Sequence, residues 1–359
     1  MSIAANHCRR LPAEWEPQSF VQLTWPHAGT DWAPYLDEAY GCFLAIARAV
    51  AARSDLLVVA CDAHAVEAQL RGAGVPMRAD AGRGAVVFEA PTDDTWARDH
   101  AFITTVVGDG TAELHDFRFN GWGAKFASER DNAINGRLWS AGALGAAVYA
   151  DDMDTVLEGG SIESDGRGTI LTTSCCLFSP NRNGYRTKAE AEAMLRGRLG
   201  AERVLWLDHG ALTGDDTDGH IDTLARLCPD DTIVYVRCGD ADDADYGGLA
   251  AMERDLQSMR TADGRAYRLL SLPMAPPVCY DGERLPATYA NFLVMNGAVL
   301  MPCYGDAERD AAAAGVLRTA FPDREVVGID CRVLVRQHGS LHCVTMQYPA
   351  QVVMPGSGS

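Results

Sequence analysis

Short apolar runs interrupted by turn signals recur along the chain, and their alternation predicts strands. The interruption is Asp109-Gly110 in AFITTVVGDGTAELHDF and Asp165-Gly166 in SIESDGRGTILTTS. It is Pro229-Asp230-Asp231 in HIDTLARLCPDDTIVYVRC and Asn296-Gly297 in YANFLVMNGAVLMPCY. Such dipeptides supply the backbone conformations tight hairpins need, so each stretch predicts two antiparallel strands. Between them the period changes. YLDEAYGCFLAIARAVAAR carries apolar positions three and four apart and predicts a helix. RTKAEAEAMLRGRLG opens on a capping box, Thr187 with Glu190, and closes at Gly200, while DAERDAAAAGVLRTAFP is stopped by Pro322.

Strand-like VLWL (204–207) and EVVGID (325–330) follow the second and third helices, giving roughly ββαβ per unit. The turns recur every 55 to 70 residues or so, a period too long for common solenoids but suited to a ring of supersecondary units. Four units are visible. A fifth requires SFVQLTW and DLLVVACD from the start of the chain and LHCVTMQY from its end, which predicts that the termini pair and close the ring. No Pro-, Gly- or Ser-rich linker divides the chain. The expectation is one α/β domain over 11–350, an N-terminal extension at 1–10 and a flexible tail at 351–359.

Composition narrows the partners. Of 359 residues, 31 are basic and 49 acidic, a net charge of −18 that disfavours nucleic acid and anionic membrane and suits a cationic ligand. No segment approaches the apolar length of a membrane span and the N-terminus has no signal-like apolar run, so a soluble, cytoplasmic protein is expected. Eleven cysteines without a CxxC, several within apolar runs, read as reduced thiols.

The chemistry begins with HGSLHCVTMQYP, 338–349, where Cys343 could fill a core, bind a metal with His338 and His342, or attack a substrate. On a strand, Cys343, Thr345 and Gln347 share the more polar face, with Val344, Met346 and Tyr348 opposite. In GDDTDGHIDTLARL, His220 and Asp222 are two apart and would face one cavity, an acid/base group beside a cation-binding group. In PTDDTWARDHAFI, Trp96 and Asp99 suit a planar cation, through ring face and carboxylate. Glu158 precedes Gly159-Gly160 in VLEGGSIESDG and could orient His220. The metal reading is the weaker one: His338 and His342 lie far apart on a strand, and no four-ligand spacing is present.

TWARDH, FNGWG, LEGGSIESDG, GDDTDGHIDTLAR, LPATYANFL and HGSLHCVTMQYP occur in this order, and with it the chain resembles the bacterial agmatine deiminases and the related bacterial peptidyl-arginine deiminases from LPAEWEP at residue 11 to QYP at 347–349. The resemblance implies a five-bladed α/β-propeller of ββαβ units, the pentein fold of guanidino-modifying enzymes. It implies Cys343 as nucleophile, His220 as acid/base, Asp99 and Asp222 as guanidinium ligands, and Glu158 beside His220. Trp96 and Trp122 would shape the pocket. The implied reaction turns agmatine into N-carbamoylputrescine and ammonia with no metal or organic cofactor, in what is commonly a homodimer. Asp93, Asp94, Asp215 and Asp216 are candidates for the distal amine, and Arg98 or Arg336 could serve a carboxylate-bearing substrate instead. The sequence RDHAF departs from the family pattern after the RD pair, so His100 is expected to alter the pocket wall.

Overall fold

The computed structural model describes residues 9–354, so residues 1–8 of the extension expected at 1–10 and the closing PGSGS at 355–359 lie outside the described residues. Among the described residues, five sheets repeat one arrangement, an antiparallel pair whose second strand runs through a helical connection to a parallel third. Four of them are Ile103–Val106, Ala112–Arg118 and Val148–Val156; Ile162–Ser164, Thr169–Thr173 and Arg203–Leu207; Ala225–Cys228, Thr232–Arg237 and Arg268–Pro273; and Leu293–Met295, Ala298–Cys303 and Glu325–Asp330. Each of the four hairpins turns where the sequence signals it.

The fifth sheet joins the ends of the chain. Thr345–Pro349 lies antiparallel to Gln18–Thr24, which is parallel to Asp55–Ala60, with Ala85–Glu89 added outside. Tyr348 stands opposite Phe20 with the rings stacked 4.4 Å apart, both fully buried. Val352 and Met354, in the segment expected as tail, are also buried. Arg10 bridges to Val106, and Arg9 pairs with Glu113.

The amphipathic segments are helices. Leu36–Ala51 buries Phe43, Ile46 and Val50, each contributing about 1.5–3 kcal/mol of apolar burial. Lys188–Leu199 starts on the Thr187/Glu190 capping box and ends at Gly200, whose φ of 72° needs a residue without Cβ. A two-stranded hairpin, Val278–Tyr280 with Glu283–Leu285, stands outside the repeat and was not expected.

Two predicted strands begin later than their apolar pattern suggests. LHCVTMQY is extended only from Thr345, because the amides of His342 and Cys343 bond to Asn291 rather than to a neighbouring strand. His220 and Asp222 are not on a strand either. Ile221–Thr223 forms a 3₁₀ turn, with the Thr223 hydroxyl and amide both donating to the His220 carbonyl, and extended structure starts at Ala225. These late starts follow a rule: the segment before the first strand of each repeated sheet is a tight turn, and those turns carry Asp99, Gly160, Asp222, Asn291 and Cys343.

Candidate active site

Asp99 and Cys343, from the turns before two of the sheets, line one cavity of about 250 Å³ with Trp96, Trp122, Asp216, Arg336 and Gly339 among others, and His220 and Asp222 lie against these two residues. The Cys343 sulfur lies 3.9 Å from Asp222 Oδ2 and 3.2 Å from the Asn291 side-chain nitrogen. His220 Nδ1 is 3.7 Å from Asp99 Oδ1. All five side chains are buried, yet both nitrogens of His220 and Oδ1 of Asp222 make no hydrogen bond within the protein. A buried polar atom without a partner costs about 1–3 kcal/mol, so the three beside Cys343 and Asp99 suit a ligand able to pair with them.

Asp99 is clamped from two sides. The Trp122 indole N–H donates to Oδ2 at 2.9 Å and the Gly160 amide to Oδ1 at 3.0 Å. Trp122 reaches it from a backbone of unusual shape, since Gly121, Trp122, Gly123 and Ala124 all have positive φ. Such conformations are unfavourable for residues with a side chain and persist where surrounding bonds over-determine them. Here the Asn120 carboxamide accepts from the Gly123 amide, and Lys125 reaches the Asp216 carbonyl and Asp218. Trp96 meets Trp122 edge to face at 6.3 Å. Its opposite approach is fixed by Gly339, where a Cβ would stand 2.1 Å from the Trp96 ring.

The electrostatics follow from burial and from these neighbours. Burial first, then Asp222 and Asp99, push the Cys343 thiol well above its ordinary range. Burial lifts Asp99 to about 6, against the pull of His220. For His220 burial opposes the charged form, but Asp99, Cys176 and Glu158 outweigh it and the imidazole is pushed well above 6.5. A thiol, an imidazole that favours its charged form and two crowded carboxylates thus stand side by side.

Neighbours in each motif turn to different places. Asp99 and Cys343 line this cavity, whereas Arg98 and His342 line a second one of about 70 Å³ with Glu14, Glu163 and Gln347. Arg98 donates to Gln347 and is therefore not at the Cys343 cavity, while Arg336 is, held by both oxygens of Glu38. His100 does not form the pocket wall; it bonds Thr24 and lies beside Phe119, and burial lowers its pKa to about 3. Of the acidic candidates, Asp94 and Asp216 line the cavity, with Asp31 added. Asp93 and Asp215 are spent on backbone amides and a hydroxyl.

Glu158 is completely buried, and both its oxygens accept from Arg182 Nε, at 2.9 and 3.0 Å. It forms no hydrogen bond to His220, although Glu158, Cys176 and His220 each present an atom within 4.8 Å of the others. Glu14, Glu163 and His342 form a second such group. In both, a buried guanidinium already neutralises the carboxylates, Arg182 in the first and Arg226 in the second, which opposes a metal cation in the same place. His338 bonds the Gly214 carbonyl and His342 bonds Asp222, so the two histidines serve separate partners. Sequence reasoning missed Asn291, Cys176 and Arg182; an asparagine in YANFL and an arginine in a loop carry no local sign of what they touch.

Residues 10–349 match the model of the Porphyromonas-type peptidyl-arginine deiminase family. The chain is 32% identical to an agmatine deiminase of Stutzerimonas stutzeri, with 96% of each chain covered, and 33% identical to one of Pseudomonas aeruginosa, with 95% covered. A P. gingivalis structure provisionally designated an arginine deiminase is 50% identical over 96% of this chain and 99% of its own, with a TM-score of 0.89. A C. jejuni agmatine deiminase solved with substrate bound is 34% identical over 97% and 98%, with a TM-score of 0.87.

Proposed function

The chain belongs to the family of Porphyromonas-type peptidyl-arginine deiminases, and from that premise we propose that it hydrolyses the guanidinium of agmatine to N-carbamoylputrescine and ammonia through a cysteine-bound amidino intermediate. The observation that carries this reading is the clustering of Cys343, His220, Asp99 and Asp222, with Asp99 and Cys343 lining the cavity and unbonded polar atoms on His220 and Asp222.

A guanidinium is a poor electrophile because its charge is delocalised over three nitrogens. Asp99 and Asp222 accept its paired N–H donors and hold its central carbon beside the Cys343 sulfur. The bound cation also offsets the two carboxylates that suppress thiol ionisation, so on binding the thiol loses its proton to solvent and the thiolate attacks the guanidinium carbon. The S–C bond forms, and protonated His220 passes its proton to the nitrogen that leaves as ammonia. The neutral imidazole then takes a proton from water, whose oxygen attacks the amidino carbon. Cleavage of the S–C bond releases the ureido product. Glu158, near His220, favours the imidazolium that the first half needs.

The carboxylates of Asp31, Asp94 and Asp216 in the same cavity favour a substrate with an amine at its far end. Arg336 at that cavity and the designation of the P. gingivalis structure favour a second reading, a substrate bearing a carboxylate. The five repeated sheets and the pairing of the chain ends support a closed five-bladed propeller. Ten free cysteines among the described residues support a reducing, cytoplasmic setting. No helix is long and apolar enough to cross a membrane among the described residues.

The test is ammonia release from agmatine, arginine and a blocked arginine peptide by wild type and Cys343→Ala, with EDTA present. Release from agmatine alone, lost in the variant, supports the proposal. A preference for arginine or the peptide moves the substrate, and activity in the alanine variant sinks the role of Cys343.

A further inference from the structure

His342 immediately precedes the proposed nucleophile but turns away from its cavity. Its Nδ1 lies 2.7 Å from Asp222 Oδ2, and both side chains are buried. An ionised carboxylate only accepts hydrogen bonds, so Nδ1 carries the proton. The other nitrogen, Nε2, lies 3.0 Å from Arg226 and 2.9 Å from Glu14 Oε2. Glu14 Oε2 already accepts from the same Arg226 nitrogen, and a guanidinium only donates, so the neutral ring accepts from Arg226 at Nε2 and carries its proton at Nδ1. Burial, Arg226 and Arg98 all hold His342 below the ordinary histidine range, which keeps the ring neutral.

The support continues outward. Arg226 is anchored by Glu163, by Glu14 and by the carbonyls of Ala290 and Phe292. The His342 amide is tied to Asn291 Oδ1 at 2.9 Å, and Asn291 also touches the Cys343 sulfur. The imidazole therefore cannot swing without breaking several buried contacts. Asp222 Oδ2 is engaged, and Oδ1 is the oxygen without a partner in the protein.

We infer that His342 is a positioning residue: its Nδ1–H fixes the Asp222 carboxylate beside Cys343 through Oδ2 and leaves Oδ1 free to accept from the guanidinium. This rests on the deiminase reading for its consequence, but not for its geometry. Asparagine can place an amide N–H where Nδ1–H stands, whereas glutamine places one near Nε2. The variants His342→Asn, His342→Gln and His342→Ala therefore separate the two ends of the ring.

In steady-state assays with agmatine, Gln and Ala should lose about 100-fold in kcat/KM, the scale of an ångström of misplacement, while Asn stays within about tenfold of wild type. Equal losses in Asn and Gln, tracking their Tm, would reduce His342 to a structural role and overturn the inference, as would full activity in all three. A second measurement needs no substrate. Proton NMR of histidine-labelled protein should show a slowly exchanging Nδ1–H that disappears in Asp222→Ala. If that signal is absent or unchanged, the inference fails on geometry; if it is present but wild type releases no ammonia from agmatine, the functional reading fails and the positioning stands.

Discussion

A methyl group on Gly160 would stand 2.6 Å from His220 Nδ1, closer than real Cβ atoms approach anything. It would also lie 2.9 Å from Asp99 Oδ1 and 3.1 Å from Asp222 Oδ2, so the absent side chain of one residue is where three proposed site residues meet. The second glycine of LEGGS is thus a steric requirement of the cavity.

Gly160→Ala should accordingly cost about 100-fold or more in kcat/KM, since moving any of these groups by an ångström disrupts the reacting geometry. Thermal stability should fall as well, by about 1–3 kcal/mol, because the clash falls on buried side chains. Near-normal turnover in this variant would mean that His220 and the carboxylates do not act from these positions.

Asp99, raised by burial from 3.8 to about 6, governs the acid side of the pH profile. Holding a guanidinium requires the ionised form, so kcat/KM should fall as pH drops through about 6. Linkage fixes the sign for stability. A raised carboxyl pKa stabilises the ligand-free fold fully below 3.8, and that contribution is lost as pH rises through about 6. A saturating guanidinium compound should reverse the loss. A flat kcat/KM from pH 5 to 8 would remove Asp99 from substrate binding.

Trp122→Phe tests the same carboxylate. It keeps the ring contacts but deletes the donor to Asp99 Oδ2, which favours the charged form. The acid limb should move to higher pH. An unmoved limb with unchanged KM would mean that the Gly160 amide holds Asp99 unaided.

Arg182→Met would leave Glu158 as an unpaired carboxylate in a fully buried site. Loss of one partner of a buried ion pair typically costs about 3–5 kcal/mol, and urea unfolding should show a fall of that order. A loss of less than about 1 kcal/mol would indicate a pair behaving as if exposed.

Asp216 is pushed by burial to about 6, and a cationic amine beside it would favour its charged form. Asp216→Asn should raise KM for agmatine about tenfold, the scale of one charge-assisted hydrogen bond, yet spare butylguanidine, which has no amine. Equal changes for both compounds would exclude Asp216 from recognising the amine.

Local pattern determined much of this protein. The four hairpin turns, the helices with their caps and the four-fold recurrence are readable because each depends on residues near one another in the chain, and the pairing of Gln18–Thr24 with Thr345–Pro349 followed from the need for a fifth unit. The proposed site was legible by residue type and motif, in Cys343, His220, Asp99 and Asp222. Tertiary structure alone decided the rest. Strand alternation misplaced Cys343 and the His220–Asp222 pair, because side-chain bonds from Asn291 and Thr223 hold both in turns. It also decided that Arg98 and His100 turn away from the cavity, that Arg182 rather than solvent meets Glu158, and that His342 grips Asp222. Those contacts join residues from 24 to 249 positions apart. Burial there costs free energy unless a partner is supplied, and which partner arrives depends on how the five units are brought together rather than on any neighbouring residue.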